Sequence, residues 1–255
     1  MQARVVPSIN GVRWLTEGWR IFRAAPFGWF ALVFAYWLLM TLVSLLPFIG
    51  VAIASVLVPA LSLGFMAAAR AASHGARVEL QQLLEGFRHE RRAMLILGIA
   101  YLASLAAVLG ATTLADDGSF ARWMLTGERP SEEVLQSDAF LAALASAAAL
   151  YAPVMAMFWF APPLAAWHSA GATKALFFSF FGCLLNWRAF FAYGAATGLI
   201  VLVLPFLVLS AALLLSGGAA KLPVGLVFPL VIIMLPTLFA SFYASYRDVF
   251  VENQG

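Results

Sequence analysis

From Phe27 to Ala69 the chain runs without a single Asp, Glu, Lys or Arg, and this run limits the fold more than any motif does. It is far longer than the ~18 residues that mark a membrane-span candidate. The turn residues from Pro47 to Gly50 divide it into two spans. Backbone amides in hydrocarbon must find partners inside the protein, so a spanning segment is a helix or a strand of a closed barrel. Barrel strands alternate apolar and polar positions, whereas "LVFAYWLLMTLVSLL" is apolar on every face. The spans are therefore expected to be helices.

Composition agrees, with 64% hydrophobic and 11% charged residues; soluble domains average about 25% charged. A chain so poor in charge cannot cover a soluble globule. Breaks at Pro47 to Gly50, Ser73 to Arg92, Asp116 to Asp138, His168 to Arg188 and Ser216 to Pro223 leave six apolar segments, near 27–46, 50–71, 93–114, 139–166, 189–215 and 224–245. The expected fold class is all-α, a polytopic membrane protein of six transmembrane helices in one membrane domain, with no cleavable signal peptide in view.

Basic residues orient it. The N-terminal segment, the connections 73–92 and 167–188 and the C-terminal tail, with adjoining span ends, hold twelve Arg and Lys; the other side holds only Arg122, Arg129 and Lys221. The positive-inside rule then places both termini in the cytoplasm of an inner membrane and the acidic 115–138 loop in the periplasm. Within that loop "FARWML" is expected to form a short surface helix.

Three cytoplasmic segments share a plan of glycine, polar or basic cluster, then span: "GWRIFRAAPFGWF" from Gly18, "GFRHERRAMLILG" from Gly86 and "GCLLNWRAFFAYG" from Gly182. Superposed, they bring Arg23, Arg91 and Trp187 into register. Gly75 precedes Gly86, and Gly171 precedes Gly182, by the same eleven residues. "PALSLGFMAAAR" and "PTLFASFYASYR" likewise each end in arginine eleven residues after proline. Three repeats follow, each an amphipathic interfacial helix (9–23, 77–91, 172–186) and two spans. The first two should lay their apolar faces on acyl chains. The third, with a narrow stripe of Ala175, Ser179, Gly182 and Asn186, should pack deeper.

Arg88, Arg91, Arg92, Asn186, Trp187 and Arg188 are the candidate residues for binding a lipid headgroup or another anion, since arginine at a helix start meets free amides that favour negative charge. A structural reading stands beside this one: Arg188 snorkels to phosphates, Trp187 joins the aromatic belt and Asn186 turns the chain. Gly194 and Gly198 form a GxxxG expected to serve helix packing. His74, His89 and His168 lack the Cys, Asp or Glu company of a metal site, and the one cysteine, Cys183, precludes an internal disulfide. No cofactor, nucleic-acid partner or enzymatic activity is expected, because no recognisable catalytic or nucleotide-binding motif is present.

The stretches "GVRWLTEGWRIF", "PALSLGFMAAARAASHG" and "AWHSAGATKALFFSFFGCLLNWRAFFAYG" resemble an uncharacterised family of beta-proteobacterial six-span inner-membrane proteins. More distantly, the plan is similar to membrane domains that accompany glycerophosphodiester phosphodiesterases. The resemblance implies an inner-membrane protein and carries no activity or site residues. Two functions stay open. One is a non-enzymatic role with anionic membrane lipids, or as scaffold or accessory to a membrane-protein partner or second copy. The other is a transporter of a lipid or small molecule through a cavity between proline-kinked spans. A polar route would have to use Thr41, Ser44, Ser55, Ser62, Ser104, Ser146, Thr197 and Ser210.

Overall fold

The structure is a computed structural model describing residues 2–47, 49–88, 90–215 and 228–250, with the side chains of 212, 215 and 228–230 left aside. His89, Lys221, the 216–223 break, the start of the sixth expected span at 224–227 and the side chain of Pro229 lie outside the described residues.

Helices make up nearly all of the described chain. In order they are α1 (Asn10–Ala24), α2 (Pro26–Ser44), α3 (Gly50–Ser73), α4 (Glu85–Arg88), α5 (Arg91–Asp116), α6 (Ser119–Thr126), α7 (Glu132–Leu135), α8 (Asp138–Trp159), α9 (Ala161–His168), α10 (Ala172–Leu185), α11 (Trp187–Gly198), α12 (Leu204–Leu215) and α13 (Phe228–Val249). A 3-10 turn, Leu80–Leu84, precedes α4, and a π segment, Leu199–Val203, joins α11 to α12. Among the described residues five stretches are long and apolar enough to cross a membrane: Pro26–Ser44, Gly50–Ser73, Arg91–Asp116, Asp138–His168 and Trp187–Ala211.

The centre forms where α3, α9 and α13 meet. Phe65 of α3 stacks on Phe239 of α13 with ring centres 3.9 Å apart, and Trp167 of α9 lies edge-on to Tyr243 and Tyr246. A smaller core joins Phe120 and Trp123 of the acidic 115–138 connection to Phe140 of α8. There α6 is the expected short helix, started by Asp116, whose carboxylate accepts from the Gly118 and Phe120 amides.

Two of the expected interfacial helices differ from their outline. In α1 the buried face is Gly11, Trp14, Leu15, Gly18, Ile21 and Phe22, while Val12 and Trp19 are exposed. Its glycines decide this, because they let its backbone touch protein. A Cβ on Gly11 would sit 2.0 Å from the Ala189 carbonyl oxygen of α11, and one on Gly18 2.5 Å from that of Thr237 on α13. The expected single helix over 77–91 is instead an extended entry, the 3-10 turn, α4 and a break at Glu90, which is left-handed (φ 50°). The Glu79 and Gln82 side chains cap the turn reciprocally and stop any helix from starting earlier. α10 keeps its outline, with Ala175, Ser179, Gly182 and Asn186 all buried.

Candidate functional site

Asn186 is the corner between α10 and α11, and only 1% of it is exposed. Its Oδ1 accepts from the Val6 amide (2.8 Å), and its Nδ2 donates to the carbonyls of Arg4 and Gly182 (both 2.9 Å). Both of its N–H donors are thus spent on backbone, so Asn186 anchors the N-terminal segment and offers no donor to an anion. Next to it, Trp187 is 58% exposed and the Arg188 guanidinium lies 5.4 Å from its ring centre.

Beyond Trp187 a groove of 1030 Å³ opens on the side of the bundle. Ala152, Ala156 and Trp159 of α8 form one wall, Cys183 and Leu184 of α10 the end, and Phe190 and Phe191 of α11 the other wall. Gly194 and Gly198 line it too, and a Cβ on either would meet nothing within 4 Å. The GxxxG expected to pack helices therefore makes room: without side chains, these turns leave the groove deep.

Proline shapes the far end. Pro205 has no amide to give the Val201 carbonyl, and the helix loosens into the π segment just before it. This places Val201 and Leu202 in the lining. Of the polar groups near the groove, the Tyr193 hydroxyl shares a hydrogen bond with Ser241 (2.7 Å), the Trp159 indole donates to Ser245 (3.1 Å), and the Thr197 hydroxyl is buried in the lining without a hydrogen-bond partner among the described residues. The surface is suited to hydrocarbon, its size at the upper end of the roughly 300–1,000 Å³ of ligand pockets.

Arg88, Arg91 and Arg92 are all exposed. They belong to the side of the bundle where α4 and α5 pack on α3, whereas α11 packs on α1, so the structure separates these arginines from Arg188. Arg91 overlooks a smaller notch of 330 Å³ beside Val56, Ala60 and Met94.

Thr197 apart, which lines the groove, five of the eight hydroxyls that a polar route would need are bonded to carbonyls of their own helices: Ser44 to Met40, Ser55 to Val51, Ser62 to Pro59, Ser104 to Ala100 and Ser146 to Ala142. They sit on α2, α3, α5 and α8 and line no common path.

Sequence reasoning missed the seam joining the chain ends. Asp248 accepts from Arg4 (2.7 Å), the Asn10 amide (2.8 Å) and the Trp14 indole (2.9 Å). Ala3 and Phe250 pair antiparallel, and the Arg4 amide donates to the Val249 carbonyl. Alongside, Glu17 accepts from Arg20 (2.7 Å) and Arg247 (2.8 Å). Burial opposes the Glu17 charge, but the two arginines outweigh it and lower its pKa. The one available signal was the Arg247-Asp248 pair closing an apolar run.

Compared with known proteins, the chain is 40% identical over 262 residues to a probable inner membrane protein of Burkholderia thailandensis, an alignment covering all of this chain and 96% of the relative. No family model matches, and no solved structure matches. These comparisons give no support to the likeness with the phosphodiesterase-associated domains.

Proposed function

Since the chain belongs to the family of that inner-membrane protein, we propose that it is a non-enzymatic lipid-binding protein, holding an acyl chain of an anionic phospholipid in the α8, α10 and α11 groove. The observation that carries this reading is the groove itself: apolar along its length, open sideways, and edged at the α10 to α11 corner by exposed Trp187 and Arg188. A hydrocarbon tail fills such a groove by burying apolar surface, and each basic residue near anionic headgroups adds about 1 kcal/mol. The span from Trp187 to Ala211 buries none of its most apolar stretch inside the protein, which leaves it to lipid. Arg88, Arg91 and Arg92 extend the same role along a second part of the basic surface. A lateral apolar groove also suits lipid movement between leaflets, while the scattered hydroxyls disfavour a polar solute.

The proposed topology has six spans in three repeats, with both termini in the cytoplasm and the acidic loop in the periplasm. It is supported by the basic residues and by the terminal seam, because an even number of crossings brings both ends to one face. The sixth crossing is α13, whose 22 residues reach about 33 Å at 1.5 Å each.

The test is native mass spectrometry of the full-length protein gently extracted from its own membrane. The wild type retains stoichiometric anionic phospholipid, and the double variant Gly194→Leu/Gly198→Leu, which fills the groove where Cβ atoms meet no neighbour, retains at least one lipid fewer while keeping its melting temperature. Undiminished lipid in the filled variant would overturn the proposal, as would a protein subunit retained in the lipid's place.

A further inference from the structure

We infer that the notch below Arg91 is a second phospholipid site, built on the same plan as the groove and specific for an anionic headgroup. This inference rests on the reading of the groove as a lipid site.

The argument begins with sequence register. Gly75 and Gly171, and Gly86 and Gly182, are both 96 positions apart. Carried through the structure, that shift maps one packing onto the other. Gly86 lies against Ala60, where a Cβ would sit 2.5 Å from the Ala60 carbonyl oxygen, and Gly64 lies against Leu83. Their counterparts 96 positions on are Gly182 with Ala156 and Phe160 with Ser179. One of the two pairs recurs: the Ser179 hydroxyl accepts from the Phe160 amide (2.9 Å) and also donates to the Ala156 carbonyl (2.7 Å), whereas Gly182 packs on Phe250 in place of Ala156.

The two cavities obey the same shift. Val56, Leu57, Ala60, Phe87, Met94 and Leu95 line the notch, and Ala152, Pro153, Ala156, Cys183, Phe190 and Phe191 line the groove. Each of the first six is matched by its counterpart 96 positions later. The rim position is Arg91 in the notch and Trp187 in the groove. An acyl chain therefore meets the same helix junction twice. At the notch the rim is a guanidinium, which pairs with a phosphate directly, whereas at the groove Trp187 holds the rim and Arg188 follows it.

The notch, at 330 Å³ against 1030 Å³, takes a shorter part of a chain. Val56, Leu57 and Phe87 stand there for the smaller Ala152, Pro153 and Cys183, and the groove also runs on past the shared junction along Gly194, Gly198, Val201 and Leu202. Affinity there leans on the headgroup more than on the tail, which is why charge selects the ligand.

The experiment is photo-crosslinking in phosphatidylcholine liposomes doped with phosphatidylglycerol carrying a diazirine in its acyl chain, with labelled positions read by mass spectrometry. Two clusters are expected, one around Phe190 to Leu202 and one around Leu57, Met94 and Leu95. Arg91→Gln lowers the second about fivefold and leaves the first; Gly194→Leu lowers the first and leaves the second. Labelling of the notch no stronger than at Phe34, which is 70% exposed on α2, would overturn the inference while the groove proposal stood. Labelling confined to the notch would instead remove the groove proposal and keep a lipid at Arg91. Equal labelling by a diazirine phosphatidylcholine would overturn the headgroup specificity.

Discussion

Asn186 shows how a polar side chain in an apolar run can serve the fold. Replacing it with Ala leaves the buried Val6 amide without its acceptor and the half-buried Arg4 carbonyl without its donor. Each buried group left unpaired costs about 1–3 kcal/mol, so Asn186→Ala should lower the melting temperature of the detergent-solubilised protein by about 4–8 °C; an unchanged value would mean that water replaces the amide. Its polarity was legible, but its partners were not, because Arg4 and Val6 lie some 180 residues away in the chain. Glycines illustrate the same limit. Gly11 and Gly194 look alike in a string of letters, yet one touches backbone and the other borders open space. Gly11→Ala is therefore expected to cost about 2 kcal/mol or more, and Gly194→Ala to be neutral or stabilising through helix propensity. Thermal unfolding of the two variants side by side decides it. Glu17 adds a pH dependence of definite sign. Its folded pKa is lowered, so the Glu17 contribution is present above the ordinary value of 4.5 and is lost as pH falls through the lower folded value. Wild type should be more stable than Glu17→Gln at neutral pH, and the gap should close on acidification.

At the scale of elements, apolar length and small-residue spacing were readable and helix docking was not. Among the described residues five helices are long and apolar enough to cross a membrane, each bounded by the charge and turn residues that mark the ends of an apolar run. The α10 stripe was visible because four small or polar residues recur at helical spacing in an otherwise apolar segment. In contrast, α1 reads as a surface helix, since nothing local reveals that Gly11 and Gly18 face α11 and α13. The 77–91 segment reads as one amphipathic helix because its period is right, while the Glu79 cap and the left-handed Glu90 break it. The π segment follows from Pro205, and Pro205→Ala should let an ordinary helix re-form there, rotate Val201 and Leu202 out of the lining and weaken acyl-chain crosslinking in the groove but not in the notch. Equal crosslinking in this variant would mean that the π segment has no part in the groove's shape.

For the whole molecule, the seam between residues 3–6 and 248–250 turns a list of spans into a constraint: both ends share one face. Reporter fusions should accordingly place the N-terminus and residue 250 on the cytoplasmic side, and an insertion after Gly127 in the periplasm; ends on opposite sides would require an odd number of crossings and contradict the seam. The groove was the least legible feature of all, since its lining comes from α8, α10, α11 and α13 and its emptiness from residues that lack side chains. The central claim is that this groove faces acyl chains. It is tested most directly with a spin label at Val201→Cys in a Cys183→Ala background, reconstituted in phospholipid bilayers, by comparing collision with oxygen and with a water-soluble nickel chelate. High oxygen and low nickel accessibility is the predicted result. Low accessibility to both, meaning protein fills the groove, or high accessibility to nickel, meaning water does, would contradict it.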